Sequence, residues 1–484
     1  MTSHSVEKIG GTSMSRTEAL LDNVIIGNRE NADLYNRIFV VSAYGGMTDA
    51  LLEHKKSGEP GVYALFASAD GGWSWGDALT EVAQKMLAKN AEIFKDPTAR
   101  GDADAFIRER VEGVRSCLID LNRLCSYGHF QLEHHLLTVR EMLAALGEAH
   151  SAYNTALILR HRGVNARYVD LTGWRDEEQL DLDERIRRAF ADIDLSRELP
   201  IVTGYTQAQP ALMQTYDRGY SEVTLSHIAV VTGASEAVIH KEFHLSSADP
   251  NIVGKDVVRV IGETNYDVAD QLSNMGMEAI HPRAAKSLRQ AEIPLRVKNT
   301  FEPDHPGTLI QSDLDARQPG VEMVTGLKNV FAFEFFEQDM VGVKGYDTDI
   351  LDAMKRHNVW IICKTSNANA ITHFCNGAMS AIERASAELA KKYPAAEIRT
   401  RKVALVSAIG RDLKGTRTTA RTIEVLTEAG IEPLGLHDLM RKVDLQVIVD
   451  EQDFEKAIVA MHRGLIENAQ PGEVSTSREP LEAA

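Results

Sequence analysis

The chain has few cysteines, no long apolar run and a shortage of positive charge. Its four cysteines, Cys117, Cys125, Cys363 and Cys375, form neither a CxxC pair nor the Cys/His spacing of a zinc site. They indicate reduced thiols in a cytoplasmic protein. No apolar stretch approaches the roughly 18 residues that a membrane helix needs, and the short polar start at residues 1–5 predicts no signal peptide.

An excess of acidic residues argues against several classes of partner. The formal net charge is −17, whereas nucleic acids and anionic membranes select basic surfaces. We therefore expect neither as a partner. At 484 residues, with 44% hydrophobic and 25% charged residues, the chain has the size and composition of a globular protein of roughly three domains.

The most informative segment is the octet Val6-Glu7-Lys8-Ile9-Gly10-Gly11-Thr12-Ser13, which joins a first apolar strand to a helix expected from about Ser15. Glycines let the backbone approach a ligand closely, and successive N–H groups at a helix N-terminus bind anions. Together with the charge of Lys8, the octet predicts a phosphate cradle. The octet is not a Walker A loop, because the lysine precedes the glycines. The alternative is an ordinary glycine-rich turn with a surface lysine.

Strand and helix patterns alternate from residue 5 to about 310. A long helix is predicted at 132–162, and buried strands are predicted at the apolar runs 37–42, 166–170, 199–204 and 237–240. This alternation favours an α/β fold with an open, mostly parallel sheet sandwiched by helices. Ligands of such sheets bind at the carboxyl ends of the strands, where Gly10, Ser42 and Gly204 fall.

Residues 54–130 interrupt the alternation with a helix-rich insertion, interpreted as a cap beside the site. Proline and glycine between Pro303 and Gly320 predict a linker. Beyond it, apolar strands at 330–336 and 403–409 each lead into Asp-x-x-Gly, an amphipathic helix and a second strand, at 359–363 and 431–436. This repeat indicates two α+β ferredoxin-like domains.

An ordered set of short motifs resembles the aspartate kinase family. The set comprises Lys-x-Gly-Gly-Thr-Ser at 8–13, Val-Ser-Ala-x-Gly-Gly-x-Thr-Asp at 41–49, Gly-Glu-x-x-Ser at 147–151, Arg-Gly-x-Ser at 218–221, Ala-Asp-Pro at 248–250 and His-Pro at 281–282. Each motif alone is weak, but the ordered set is specific and extends from about residue 5 to 468. Segments 217–222 and 240–244 look like the family branch associated with ectoine biosynthesis.

The resemblance implies an amino-acid kinase catalytic domain followed by two ACT domains. We expect the catalytic domain at 1–310, a linker and first ACT-like domain at 311–400, and a second at 401–469. The tail at 470–484, rich in Pro, Glu, Ser and Ala, is expected to be disordered.

The implied reaction transfers the γ-phosphate of ATP, with Mg²⁺, to the β-carboxylate of L-aspartate, and feeds ectoine or aspartate-family biosynthesis. The implied partners are these substrates, an amino-acid effector at the ACT domains and further copies of the chain in a homodimer or homotetramer.

The resemblance also assigns roles to single residues. Lys8, Arg218 and Glu222 are expected to be catalytic, and no metal ligands are assigned. The phosphate and nucleotide side is expected to comprise Lys8, Gly10, Gly11, Thr12, Ser13, Lys241 and Asp249. The aspartate side is expected to comprise Ser42, Thr48, Glu148, Arg218 and Ser221.

For three of these residues, an interpretation without a role in binding or catalysis stays open. Thr48 could be the N-cap of a helix starting at Asp49. Glu148 could be an exposed glutamate in the first turn of a helix, where the helix dipole favours it. Arg218 could be a solvated loop arginine, although its fork suits the bidentate capture of a carboxylate.

The sequence departs from the usual family pattern at several positions. Tyr220 replaces a glycine, Glu222 replaces an aspartate, and Asn251 and Glu278 replace an arginine and a lysine. These changes keep a second function class open, a catalytically inactive amino-acid sensor acting through its ACT domains. A third possibility is a sister kinase of another acid, which Glu148 and the ACT-like repeat disfavour.

Overall fold

The computed structural model describes residues 3–55, 57–68, 72–216, 219–275, 280–312, 319–414 and 416–468. The tail at 470–484 and two residues discussed above, Arg218 and Glu278, lie outside this part of the chain. The described residues divide into two compact units. The first lies within Met1–Leu245, Gly262–Tyr266 and Ile280–Asp313, and the second within Ser246–Ile261, Asp267–Ala279 and Leu314–Ala484.

The first unit is built on an eight-stranded sheet. Its strands are β1 (Ser5–Ile9), β2 (Arg37–Val41), β3 (Ala166–Val169), β4 (Leu199–Thr203), β5 (Glu236–Lys241), β6 (Glu263–Asn265), β7 (Leu295–Asn299) and β8 (Thr308–Gln311). They stand in the order β3-β4-β2-β1-β5-β7-β8-β6. The pair β7/β8 is antiparallel and the other described pairings are parallel. The predicted α/β fold with a mostly parallel sheet is confirmed.

Every residue of β2 and β4 is buried, as expected where helices cover both faces of a parallel sheet. The helices up to residue 290 are α1 (Gly11–Ser15), α2 (Thr17–Leu20), α3 (Met47–Leu51), α4 (Val62–Ala67), α5 (Ser74–Ile93), α6 (Pro97–Cys125), α7 (Leu136–His161), α8 (Leu182–Phe190), α9 (Leu212–Thr215), α10 (Tyr220–Thr232), α11 (Pro250–Val253), α12 (Tyr266–Asn274) and α13 (Pro282–Gln290). A short π-helix at Leu21–Ile25 and 3₁₀ turns at Asn31–Leu34 and Leu132–His134 complete this region.

Helices α4, α5 and α6 occupy the predicted insertion. Helix α6 starts at an N-cap, Asp96, whose carboxylate accepts the Ala99 N–H at 2.8 Å, and Pro97 follows at the first helical position. Helix α5 packs on α6, and α6 packs on α7. The insertion also contacts the end of α1, because Lys89 Nζ donates to the Ser15 carbonyl oxygen at 3.0 Å.

The predicted linker at 303–320 is wrong over part of its length. Residues Thr308–Gln311 form β8, which pairs with β7 and β6. Gly307, at φ +76°, makes the turn between β7 and β8, and a Cβ there would stand 2.2 Å from the Val297 carbonyl oxygen. Pro303, Pro306 and Gly307 therefore lie in the connection between two paired strands of the first unit's sheet rather than between domains.

The second unit is built on a six-stranded antiparallel sheet. Its strands are β9 (Gly320–Phe336), β10 (Trp360–Ser366), β11 (Ala370–Asn376), β12 (Glu397–Arg411), β13 (Gly435–Asp438) and β14 (Asp444–Asp450), in the order β10-β11-β9-β12-β14-β13. Its helices after residue 320 are α14 (Tyr346–Arg356), α15 (Met379–Lys392), α16 (Thr418–Glu428) and α17 (Phe454–His462), with shorter turns at Gln338–Met340, Glu451–Asp453 and Arg463–Glu467.

Two βαββαβ repeats share this sheet, which confirms the predicted ferredoxin-like pair. The long strands β9 and β12 pair along their whole length, from Phe336 with Glu397 to Gly320 with Arg411. Each of these two long strands is shared between the repeats: one half of the strand belongs to one repeat, and the other half belongs to the other repeat. The boundary expected at 400/401 therefore falls inside β12, and the segment at 246–261, expected in the catalytic domain, groups with the second unit.

None of the described helices combines the length and the hydropathy that a membrane span requires.

Candidate active site

The carboxyl ends of β1, β2 and β4 meet at one edge of the first unit's sheet. Their last residues, Ile9, Val41 and Thr203, are register partners. The residues that follow these strands at the same edge are Gly10, Ser42 and Gly204. This is the edge where parallel sheets bind their ligands.

The glycine-rich loop turns directly into a helix. Helix α1 begins at Gly11, earlier than the start near Ser15 expected from the sequence, and Gly10 is its N-cap with φ −73° and ψ 157°. Gly11 is required by close approach, because a Cβ there would stand 2.7 Å from the Ala43 carbonyl oxygen. The first N–H groups of a helix have no partner inside it and face outward from its N-terminus.

The two hydroxyls of the octet have different surroundings. Thr12 is exposed, whereas Ser13 is fully buried. The Ser13 hydroxyl lies 3.0 Å from Thr300 Oγ1 and donates to Glu242 Oε1 at 3.1 Å. Ser13 thus joins α1 to the residues that follow β5 and β7, and Thr12 is the hydroxyl accessible from solvent.

Lys8 lies at the same edge and forms an ion pair. Its Nζ stands 3.6 Å from Glu222 Oε1, with 13% of each side chain exposed. The other Glu222 oxygen accepts the backbone N–H of His281, which is the N-cap of α13. Glu222 is in the first turn of α10, so this helix brings an anionic partner to the predicted phosphate-binding lysine.

Glu148 lies beside this ion pair in a buried polar cluster. The Ser221 hydroxyl donates to Glu148 Oε1 at 2.7 Å, and the Ser42 hydroxyl lies 3.5 Å from Ser221 Oγ. Glu148 is 2% exposed and sits in the middle of α7, a helix with small and apolar residues on nearly every side. The interpretation of Glu148 as an exposed first-turn glutamate is therefore wrong.

Burial raises the pKa of Glu148 to about 8. The hydrogen bond from Ser221, the charge of Lys8 and the backbone N–H groups of Tyr205 and Ala43 act in the opposite direction but are outweighed. Glu148 Oε2 is buried without a hydrogen bond of ordinary geometry. A buried carboxylate with a vacant oxygen and a raised pKa is suited to receive a cationic group.

Thr48 is in the first turn of α3. This helix begins at Met47, and its N-cap is Gly46 at φ 77°. The alternative role of Thr48, as the N-cap of a helix starting at Asp49, is therefore wrong. The positive φ of Gly46 explains the second glycine of the 41–49 motif, because other residues avoid that conformation.

The sequence also predicts Lys241, Asp249 and Arg218 as residues of the site. Lys241 is the last residue of β5, and its carbonyl oxygen accepts the Thr300 N–H at 2.8 Å. Asp249 belongs to the second unit, where its carboxylate caps α11 by accepting the Asn251 N–H at 2.8 Å. Arg218 lies outside the described residues.

Comparison with known proteins identifies the family. Residues 5–299 match the model of the amino acid kinase family. Aspartate kinase Ask_Ect of Stutzerimonas stutzeri is 55% identical over 471 residues, which cover 97% of this chain and 99% of that protein. This chain belongs to the aspartate kinases.

More distantly related aspartate kinases also match nearly the whole chain. Aspartokinase 1 of Arabidopsis thaliana, a chloroplastic protein, is 23% identical over 97% of this chain and 81% of its own length. E. coli aspartokinase III, solved in complex with lysine and aspartate, superposes with a TM-score of 0.70 at 18% identity, over 96% of this chain and 99% of its own. The aspartate kinase of Clostridium acetobutylicum superposes with a TM-score of 0.70 at 20% identity, over 95% of this chain and 100% of its own. These superpositions show a shared fold over nearly the whole chain.

Two residues of this aspartate kinase have a role at the site that the sequence does not assign to them. A Cβ at Gly204 would stand 2.8 Å from Ser221 Oγ and 2.9 Å from Glu148 Oε1, so glycine leaves the space for that hydrogen bond. Ser151, the last residue of the motif at 147–151, donates to the Ser42 carbonyl oxygen at 2.8 Å and fixes the loop after β2. Its spacing is the signal for this role, because it lies about one helical turn after Glu148 on the same face of α7.

Proposed function

We propose that this chain transfers the γ-phosphate of ATP to the β-carboxylate of L-aspartate, giving 4-phospho-L-aspartate. The observation that carries the proposal is the meeting of Lys8 with the buried Glu148–Ser221 pair at one sheet edge. One edge thus offers a cation for phosphate and an anion for the substrate ammonium. Membership of the aspartate kinases supports the same reaction.

The chemistry requires positioning and charge neutralisation rather than a general base. The β-carboxylate of aspartate is already ionised at pH 7, so its oxygen attacks the γ-phosphorus directly, and the bond to the β–γ bridging oxygen breaks. Lys8 neutralises charge on the phosphates, and the N–H groups at the start of α1 donate to their oxygens. Thr12 supplies the exposed hydroxyl of the loop.

Mg²⁺ is proposed to arrive with ATP, and it would offset the negative charge of the phosphates during transfer. The Glu222 carboxylate beside Lys8 is an oxygen donor of the kind that Mg²⁺ accepts. Nucleotide binding is supported by the E. coli aspartokinase III structure with aspartate and ADP. Lys241 and Asp249 remain proposed nucleotide-side residues.

Aspartate recognition is assigned to the Glu148 cluster. The vacant Glu148 Oε2 is proposed to accept the substrate ammonium, while the hydroxyls of Ser42 and Ser221 complete the polar surface. Arg218, by its place in the family motif, is proposed to bind the α-carboxylate, and Thr48 to line the aspartate side.

A coupled hydroxamate assay of the purified chain tests the proposal. We expect Mg²⁺-dependent turnover with ATP and L-aspartate, and little with N-acetyl-L-aspartate, which lacks the ammonium that Glu148 receives. L-Glutamate serves as the second control. A folded protein without turnover with ATP or GTP would contradict the kinase proposal, and amino-acid binding under those conditions would favour the inactive sensor.

We also propose a regulatory role for the second unit. Edge strand β10 exposes a large apolar side chain, Trp360, at 72%, and exposed edges favour pairing with a second copy. The proposed assembly is a homodimer, or a tetramer of dimers, through residues 320–470, with an amino-acid effector at the ACT-like repeats. Light scattering that gives a monomer at micromolar concentration would contradict the assembly. Segment 364–369 resembles the family's effector loop only in part, so the response to lysine is proposed to be weakened, and strong inhibition by lysine alone would contradict this.

The product is proposed to feed ectoine or aspartate-family biosynthesis in the cytoplasm, where ATP and aspartate are available. The similarity to Aspartate kinase Ask_Ect supports the ectoine branch. Deletion of the gene in its host should lower the stress-induced ectoine pool. An unchanged pool would contradict this assignment without affecting the assigned reaction.

A further inference from the structure

A polar cavity of about 690 Å³ lies on one face of the first unit's sheet. Side chains of β1, β2, β5 and β7 form its floor, among them Glu7, Arg37 and Lys298. Glu7 and Lys8 are consecutive on a strand and therefore project to opposite faces of the sheet. The described residues that line the cavity include none of those assigned above to aspartate or ATP.

Most charges around the cavity are neutralised within the protein. Arg37 forms two hydrogen bonds with the Glu7 carboxylate, at 2.7 and 3.2 Å. Arg296 pairs with Glu236 at 2.8 Å. Asp22 is exposed at the rim of the cavity, and its Oδ1 lies 3.3 Å from Arg162 Nη1. The remaining carboxylate of the lining belongs to an exposed aspartate in the loop after β7.

Two cations of the lining, Arg29 and Lys298, have no carboxylate partner within the described part of the chain. Arg29 Nη1 donates to the Val24 carbonyl oxygen at 3.1 Å, and Lys298 Nζ donates to the Pro303 carbonyl oxygen at 3.1 Å. A half-buried cation that bonds only to neutral carbonyl oxygens keeps most of its charge uncompensated.

These cations also repel one another. Burial lowers the pKa of the Arg29 guanidinium, and the neighbouring charge of Arg37 lowers it further, whereas Glu7 and Asp33 act in the opposite direction. Burial also lowers the pKa of the Lys298 ammonium. Attraction to Glu7 and, less strongly, Glu236 opposes this effect, whereas repulsion from Arg29 and Arg296 adds to it. An anion between Arg29 and Lys298 would remove this repulsion.

We propose that this cavity is a binding site for a small organic anion that carries two or more negative charges. Arg29 and Lys298 are its anion-binding residues, because a guanidinium fork and a mobile ammonium suit phosphate and carboxylate groups alike. His240, which lines the cavity with its Nδ1 lacking a hydrogen-bond partner, offers a further polar contact. The ligand class is a phosphate ester or a polycarboxylate.

Isothermal titration of the full chain with pyrophosphate and, separately, with citrate tests the site. Lys8→Gln serves as the background, because it removes the cation assigned to phosphate at the active site. At least one probe should bind this background, and adding Arg29→Gln and Lys298→Gln should weaken binding by more than about tenfold, as expected when charged hydrogen bonds are lost. Binding of pyrophosphate alone assigns phosphate esters, and binding of citrate alone assigns polycarboxylates.

The control is Arg197→Gln, which removes one positive charge, as each cavity substitution does, from a side chain that is 82% exposed and should leave binding unchanged. If the double substitution fails to fold, Lys298→Gln alone should weaken binding and Lys298→Arg should restore it. The proposal is overturned if neither probe binds below about 10 mM, a limit weaker than a specific site of this charge should show. It is also overturned if binding disappears with Lys8→Gln or survives the loss of both cavity cations.

Discussion

Two buried glutamates of the first unit, Glu7 and Glu148, have opposite electrostatic surroundings. Glu7, on the face of the sheet, is held by Arg37 and by His240 Nε2 at 2.7 Å. Burial alone would raise its pKa, but these two partners outweigh burial and hold the pKa well below the usual range. Glu148, at the carboxyl edge, has a hydroxyl partner, Ser221, and its pKa rises to about 8.

The difference in surroundings separates a carboxylate that is neutralised inside the protein from one that is proposed to bind a ligand. Glu7 is neutralised by partners on β2 and β5, so it ties three neighbouring strands together. Glu148 is equally buried but keeps one oxygen vacant. A protein gains little stability from an uncompensated buried carboxylate, so its presence at the sheet edge fits a role in substrate binding.

The largest effect is expected from Glu7→Gln. Removing this charge leaves Arg37 buried without its partner, and breaking a buried ion pair costs about 3–5 kcal/mol in the free energy of unfolding. Urea unfolding measures the loss. The matched control is Glu18→Gln, whose side chain is 69% exposed and should cost at most about 1 kcal/mol. Equal stability of the two variants would show that Glu7 does not hold the strands together.

Lys8→Ala should reduce kcat by about 10²–10³-fold, because it removes charge neutralisation of the transferring phosphoryl group. Aspartate binding should remain largely intact, since Lys8 is assigned to phosphate. Steady-state kinetics and aspartate titration measure the two effects, and Lys8→Arg tests whether a cation of different shape restores turnover. Activity within about tenfold of the parent, a factor too small for a transition-state contact, would exclude Lys8 from the mechanism.

Glu148→Gln should raise the KM for aspartate by about tenfold or more, because the ammonium loses a charged hydrogen-bond partner. The KM for ATP should stay nearly constant. Unlike Glu7→Gln, this substitution should not lower stability, since the amide keeps the shape of the side chain without a buried charge. Equal changes in both KM values would make Glu148 a structural residue like Glu7.

The smallest expected effect is a pH dependence of the free energy of unfolding, which comes from Glu148. Because the folded-state pKa of Glu148 is raised to about 8 from the ordinary value of 4.5 for a glutamate, the folded protein binds more protons between these two pH values. Its contribution to stability should therefore fall as the pH rises through this window, and Glu148→Gln should remove that slope. Aspartate binding at pH 7 should release protons, which calorimetry in buffers of different ionisation enthalpy would detect.

Sequence patterns gave the local elements of this molecule with few errors. Strands near residues 37, 166, 199 and 237 and the long helix α7 form where hydrophobic patterning predicts them. The main errors concern glycines and prolines. The predicted linker includes the turn at Gly307, and the predicted start of α1 is four residues late, because glycines and prolines mark breaks in regular structure without showing which element follows.

The sequence by itself determined the glycine-rich turn between Lys8 and Ser13, the parallel sheet and the family, because each depends on short runs whose spacing is visible in the chain. Only the tertiary structure placed Ser221 against Glu148 and joined His240 to Glu7. These contacts link residues 73 and 233 positions apart in the chain. They depend on which strands become neighbours, and strand order is a property of the whole packed sheet rather than of any one segment.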